Sequence, residues 1–235
     1  MSTYDIDALA KLVDHTNLRA DASSFDLKML CNEAMFWNFN SVAVNQAQVA
    51  LCRDLLKESS VRVDSTVGFP LGQTTVFCKI LEARDAIELG ANEIDYVVNI
   101  SEVKNGNWDY VQEEMESIVA LCREGRGGGT IGAGTSVVSK VIFENCYLTD
   151  DEKITLCHIA SEVKPDFIKT STGFGTGGAT LDDVRLMREH TDPAVKIKAA
   201  GGIRTVDDFL AFVDAGVDRI GCSASVDIFE ELSRR

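Results

Sequence analysis

Eight short runs rich in β-formers alternate with amphipathic stretches from one end of the chain to the other, and this rhythm restricts the fold more than any other feature of the sequence. The candidate strands are residues 12–15, 42–44, 62–67, 94–99, 140–144, 167–170, 195–199 and 219–222. Helical patterns with start signals lie between them. Ser23 or Ser24 precedes DLKMLCNEAMFW, Thr74 precedes a run ending at Leu89-Gly90, and Thr180 precedes LDDVRLMREH. Thr149-Asp150-Asp151-Glu152 has the spacing of a capping box, and Thr205-Val206-Asp207-Asp208 opens the run FLAFVDAG. Gly90, Gly125 and Gly216 fall where helix C-caps are expected. Eight strands alternating with eight helices in 235 residues predict an α/β chain. The expected form is a single-domain (β/α)8 TIM barrel over residues 1–235, with a short extra N-terminal helix. An open doubly wound sheet is the alternative.

Charge and cysteine usage narrow the function. With 23 basic and 37 acidic residues the formal net charge is −14, and no basic run exists, which argues against a nucleic-acid partner. An anionic small substrate requires a locally positive pocket in this chain. The seven cysteines are scattered and form no Cys-x-x-Cys, so a disulfide framework or zinc site is not expected and a reducing cytoplasm is. The N-terminal MSTYDIDALAKLVDH has acids and no apolar core of a signal peptide, and no apolar stretch approaches the ~20 residues of a membrane span. Gly127-x-Gly129-x-x-Gly132 formally matches a dinucleotide fingerprint. It follows a helix and precedes a strand, the reverse of what phosphate binding at a helix N-terminus needs, so it is read as a surface loop.

In a barrel of this kind the chemistry sits at the C-terminal ends of the strands. Period two along each strand selects inward positions, and three strands place ionisable groups where a packed interior would hold Val or Leu: Asp95, Lys169 and Lys198. Lys140 and Glu144 share a face of a fourth strand, and Asp14 ends the first. A strand lysine ordinarily faces outward. Lys169 and Lys198, however, lie on consecutive strands, each just before a Gly-bearing loop. Two ammonium groups at one partly dry mouth lower each other's pKa, and a neutral amine can then attack a carbonyl to form a Schiff base. Lys196 is a rival partner of equal parity, one pleat deeper. Asp95 can hold the second lysine's charge and shuttle protons, or be a plain buried ion pair. The segments Ala200-Gly201-Gly202-Ile203-Arg204 and Gly221-Cys222-Ser223-Ala224-Ser225 follow strands seven and eight, where this fold often binds phosphate. His158 and His190 lie in predicted helices and His15 has no ligand at metal spacing, so no metal is expected.

LVDHTNL, STVGFPLG, EIDYVVNI, KVIFENCYLTDDEK, FIKTSTGFGTGGAT, IKAAGGIRT and RIGCSAS occur in this order and together resemble the segments of the deoxyribose-phosphate aldolase family. The resemblance implies a metal-free class I aldolase, without cofactor, that cleaves 2-deoxyribose 5-phosphate to glyceraldehyde 3-phosphate and acetaldehyde. By matching motif it implies Lys169 as the imine-forming lysine, Lys198 as the lysine that lowers its pKa and Asp95 as the acid/base. Asp14 and Thr16 resemble the pair near the sugar hydroxyl and the water relay. Thr172, Gly173, Gly201, Gly202, Arg204, Gly221 and Ser223 resemble substrate- and phosphate-binding positions. A phosphosugar and acetaldehyde are the implied small-molecule partners, and a homodimer is the family's habit. Ala43 stands where members often carry cysteine, Ala224 where a serine is common, and residues 231–235 lack the terminal tyrosine of longer members. A different phosphosugar barrel enzyme, such as another Schiff-base aldolase or an isomerase, and a silent phosphosugar-binding protein are the competing readings.

Overall fold

A computed structural model describes residues 4–125 and 136–235. Eight parallel strands close into a barrel in sequence order, with β1 pairing both β2 and β8. They are β1 Val13–Thr16, β2 Ser41–Asn45, β3 Arg62–Val67, β4 Glu93–Val97, β5 Val138–Ile142, β6 Phe167–Lys169, β7 Lys196–Ala200 and β8 Arg219–Cys222. Every expected strand exists, and closure excludes the open sheet. The predicted fifth strand ran to residue 144, but β5 stops at Ile142 and Glu144 takes a left-handed backbone, φ 58°. Asp14 is the second residue of β1 rather than its end. The Gly127–Gly129–Gly132 pattern lies outside the described residues.

Ten α-helices occur among the described residues: α1 Ile6–Ala10, α2 Ser24–Trp37, α3 Val49–Leu56, α4 Val76–Leu89, α5 Ile100–Lys104, α6 Trp108–Glu124, α7 Asp150–Val163, α8 Leu181–His190, α9 Val206–Asp214 and α10 Ser225–Leu232. The first is the expected short N-terminal helix. Seven of these ten starts carry a side-chain cap, because the first amides of a helix have no partner within it. Ser23 and Asp26, Thr149 and Glu152, and Thr205 and Asp208 each form a reciprocal capping box. Thr75, not Thr74, caps α4, its side chain accepting from the Cys78 N–H. Gly90 ends α4, and no helix of the described residues is long and apolar enough to cross a membrane.

Strand parity separates two environments. One face carries Val13, Val42, Val63, Ile94, Tyr96, Val141, Ile168, Ile197 and Ile220, all within the apolar core that packs strands against helices. Burying each such aliphatic side chain stabilises the fold by roughly 1.5–3 kcal/mol. The opposite face points into the barrel, and there the register sets Asp64 beside Glu93, Asp95 beside Lys140, Lys169 beside Lys198, and Lys198 beside Arg219. A barrel interior is ordinarily filled by branched aliphatics. Here its centre is ionic.

Candidate active site

The interior charges satisfy one another. The Lys140 Nζ lies 2.7 Å from Asp95 Oδ1, 2.7 Å from Glu93 Oε2 and 2.8 Å from Asp64 Oδ2. Lys198 Nζ contacts Asp14 Oδ2 at 2.6 Å, Asp95 Oδ2 at 2.7 Å and Asp64 Oδ2 at 3.0 Å. Lys169 Nζ donates to Asp95 Oδ2 at 2.6 Å. Arg219 closes the lower layer, reaching Asp14 Oδ1 at 2.6 Å and Glu93 Oε2 at 3.0 Å. Asp14, Asp64, Glu93, Asp95 and Lys140 are wholly buried, and Lys169 is 3% exposed. Charges taken this far from water persist only when paired.

The three lysines are not alike. Burial pushes the Lys169 ammonium below its ordinary pKa; Asp95 opposes this and the neighbouring Lys198 adds to it. Burial acts on Lys198 and Lys140 in the same sense, but the carboxylates around them outweigh it and hold both above the usual lysine range. Lys169 faces one carboxylate, whereas the others face three or more, which is why it is the amine that loses its proton first. Burial also pulls the Asp95 carboxyl upward, yet Lys140, Lys169 and Lys198 together hold it well below the carboxylate range.

Above this layer opens a pocket of about 510 Å³. Lys169, Thr16, Thr172, Gly173, Gly201, Gly202, Arg204, Gly221 and Ser223 line it. Gly201 and Gly202 have φ of 88° and 82°, a turn that L side chains rarely adopt. Gly221 serves a different end: a Cβ there would stand 3.2 Å from Lys198 Cε and 3.1 Å from Ala200 Cβ. The α10 helix that follows has Ala224 at its N-cap, with no side-chain cap on its first amides. His15 also lines the pocket, its ring bonded to Glu33 at 2.9 Å and Ser225 at 2.8 Å.

Nine of the twelve expected site residues thus share one pocket, and Asp95 and Lys198 lie directly beneath it on Lys169. Asp14 departs from expectation. It does not line the pocket but is buried below it on Lys198, Arg219 and the Ser41 hydroxyl at 2.7 Å. The rival Lys196 is exposed at the other end of the barrel, its Nζ 5.5 Å from the Phe167 ring centre. Glu144 is not the strand-face partner of Lys140. It is buried and accepts from the Thr172 N–H at 3.2 Å and from the Thr172 hydroxyl, fixing that pocket residue.

Sequence reasoning missed Asp64, Glu93 and Arg219 and the depth of Lys140. Parity within β3 and β8 carries the signal for Asp64 and Arg219, while the expected fourth strand, residues 94–99, begins one residue after Glu93, the first residue of β4. Asp14, Asp64 and Glu93 bring carboxylate oxygens within 4.8 Å of one another, an arrangement no histidine spacing announced. Lys140, Lys198 and Arg219 supply the cations between them.

A family model described as DeoC/LacD family aldolase matches residues 8–229. Over 232 residues, 99% of this chain and 94% of the relative, the chain is 52% identical to a deoxyribose-phosphate aldolase of Lactobacillus acidophilus. It is 48% identical to one of Thermococcus gammatolerans over 94% of this chain and 95% of that one. A deoxyribose phosphate aldolase of Aeropyrum pernix, described as a unique tetrameric structure, superposes with a TM-score of 0.87 at 30% identity, covering 97% of this chain and 92% of that chain. With the whole barrel and the whole pocket inside the matched residues, the chain belongs to the DeoC/LacD family of aldolases.

Proposed function

We propose that the chain is a class I aldolase that reversibly cleaves 2-deoxy-D-ribose 5-phosphate to D-glyceraldehyde 3-phosphate and acetaldehyde through a Schiff base on Lys169. The observation that carries this reading is a single buried lysine at the pocket floor, its pKa lowered, with Asp95 at 2.6 Å and Lys198 on the same carboxylate oxygen. The names of the relatives give the substrate.

The neutral Lys169 amine adds to the C1 aldehyde of the open-chain sugar, and the carbinolamine loses water to give a protonated imine. A base takes the C3 hydroxyl proton as the C2–C3 bond breaks. The bonding pair moves into the imine, leaving an enamine on Lys169 and releasing glyceraldehyde 3-phosphate. Protonation at the enamine carbon and hydrolysis then release acetaldehyde and restore the amine. Asp95 orients Lys169 and moves protons at Nζ. Thr16 donates its hydroxyl proton to the Asp14 carbonyl at 2.8 Å, so its oxygen is left to accept from a sugar hydroxyl or water. Asp14 acts one layer down, holding Lys198. The turn amides at Gly173, Gly201, Gly202 and Gly221, with Ser223 and Arg204, supply donors for the phosphate. The cytoplasm is the compartment in which such a sugar phosphate and seven free cysteines are at home, and self-association as a homodimer fits the same reading.

Intact mass after incubation with acetaldehyde and borohydride tests the assignment on the native chain and on Lys169→Ala. A two-carbon adduct on Lys169 that the variant lacks is the expected result. No adduct on the native chain would sink the Schiff base and favour an isomerase or a binding protein.

A further inference from the structure

Dehydration of the carbinolamine consumes a proton, and the group that Lys169 contacts is badly suited to storing one. Asp95 accepts from three ammonium groups at 2.6–2.7 Å, so both of its oxygens already hold charged donors. Asp64, on the neighbouring strand β3, differs. Its Oδ2 is shared by Lys140 at 2.8 Å and Lys198 at 3.0 Å, while its Oδ1 is buried and has no hydrogen-bond partner. A proton on Oδ1 breaks no existing contact.

Charge counting gives the same answer. The interior holds Lys140, Lys169, Lys198 and Arg219 against Asp14, Asp64, Glu93 and Asp95, four cations to four acids. Attack on an aldehyde requires Lys169 to be neutral, which alone would leave one buried negative charge in excess. A neutral Asp64 restores the balance. Once the protonated imine forms on Lys169, the balance is restored by an ionised Asp64.

Resting on the Schiff-base reading, we propose that Asp64 is a positioning residue that stores the proton for imine formation, acting on Lys169 through Lys198 and Asp95. In this step the carbinolamine C–O bond breaks and the nitrogen lone pair forms C=N. The departing oxygen takes its proton from Asp95 Oδ2, to which Lys198 passes one in the same step. Lys198 gives that proton across its 2.7 Å contact with Asp95 Oδ2 and takes one from Asp64, whose carboxyl turns to bring its proton from Oδ1 to the edge 3.0 Å from Lys198. No oxidant, reductant or further reactant is needed, and hydrolysis runs the same path backwards.

The surroundings of Asp64 agree. Burial first and then Asp95 on β4 raise its carboxyl; Lys140 on β5 and Lys198 on β7 lower it, and Asp14 on β1 raises it again, leaving it pushed up to about 6. Lys169 on β6 also feels Asp64. From β2 the register neighbour is Ala43, which adds no charge.

The test is the rate of borohydride-trapped imine formation with acetaldehyde, followed from about pH 5 to about pH 9, for the native chain, Asp64→Asn and Asp64→Glu. The native rate is expected to rise as Lys169 loses its proton and fall again as the stored proton is lost. Asp64→Asn should lose about a hundredfold at its best pH and keep only the rising limb. Asp64→Glu should recover the falling limb. A bell of unchanged shape in Asp64→Asn, at full or reduced rate, overturns the proposal. Failure of the native chain to trap any imine would overturn the Schiff-base reading itself. Infrared difference spectra of the native chain need no variant: a protonated-carboxyl band must disappear as acetaldehyde forms the imine, and a spectrum without that loss also overturns the proposal.

Discussion

Replacing Lys140 by methionine separates the two duties of the ionic interior, because Lys140 pairs with four carboxylates on three strands yet does not line the pocket. Its ammonium lies within 2.8 Å of Glu93, Asp95 and Asp64 and 3.8 Å from Asp14. Methionine fills much of the same volume but leaves four buried carboxyl groups facing three cations. Removing one partner of a buried ion network costs about 3–5 kcal/mol. For a chain of this length that corresponds to a fall in Tm of roughly 10–15 °C. The deficit must depend on pH with a definite sign. Asp64, already at about 6 with Lys140 present, rises further without it. An acid raised above its unfolded value destabilises at high pH, and the penalty is relieved as pH falls through the folded pKa. Asp14, Asp95 and Glu93 are lowered instead, so their stabilisation persists at neutral pH and is lost only below the unfolded range of about 4. Thermal and urea unfolding near pH 7 and again near pH 5 should show the gap between native and variant narrowing in acid. A Tm within about 2 °C of native at neutral pH, or a gap that widens on mild acidification, would refute the reasoning.

Two further substitutions probe the pocket. Gly221→Ala places a methyl 3.2 Å from Lys198 Cε, so Lys198 must shift on Asp95; kcat should fall about tenfold with little change in Tm, measured by the coupled release of glyceraldehyde 3-phosphate. On the proposed phosphate assignment, Arg204→Ser removes a charged donor from the pocket and should raise KM for the phosphorylated sugar by about tenfold, leaving KM for unphosphorylated 2-deoxyribose unchanged. An equal effect on both sugars would remove Arg204 from the phosphate site.

What was legible in the sequence and what was not follow from one property of strands. Parity within a run is local, so the apolar outer faces, the capping boxes at Thr149 and Thr205, and the inward pair Lys169 and Lys198 could all be read from spacing. The capping residue of α4 slipped by one because Thr74 and Thr75 carry the same chemistry. Contacts across the barrel are not local: Asp64 meets Lys198 over 134 residues and Arg219 meets Asp14 over 205. Until closure brings β3 opposite β7 and β8 beside β1, Asp64 and Arg219 are merely charged residues in strands. The same closure demoted Asp14 from a pocket residue to a partner of Lys198, since one pleat along β1 decides whether a carboxylate meets substrate or a buried ammonium. The charged strand residues of the two halves of the chain therefore act as one set. A parity-matched set of four cations and four acids cannot face the helices without losing its water unpaired, and the barrel axis is where the fold lets all eight find partners. The outer apolar face supplies the hydrophobic stabilisation, and the interior divides its charges unequally, with three carboxylates on Lys198 and one on Lys169. That inequality, rather than the presence of a lysine, sets one amine of three apart as the proposed nucleophile.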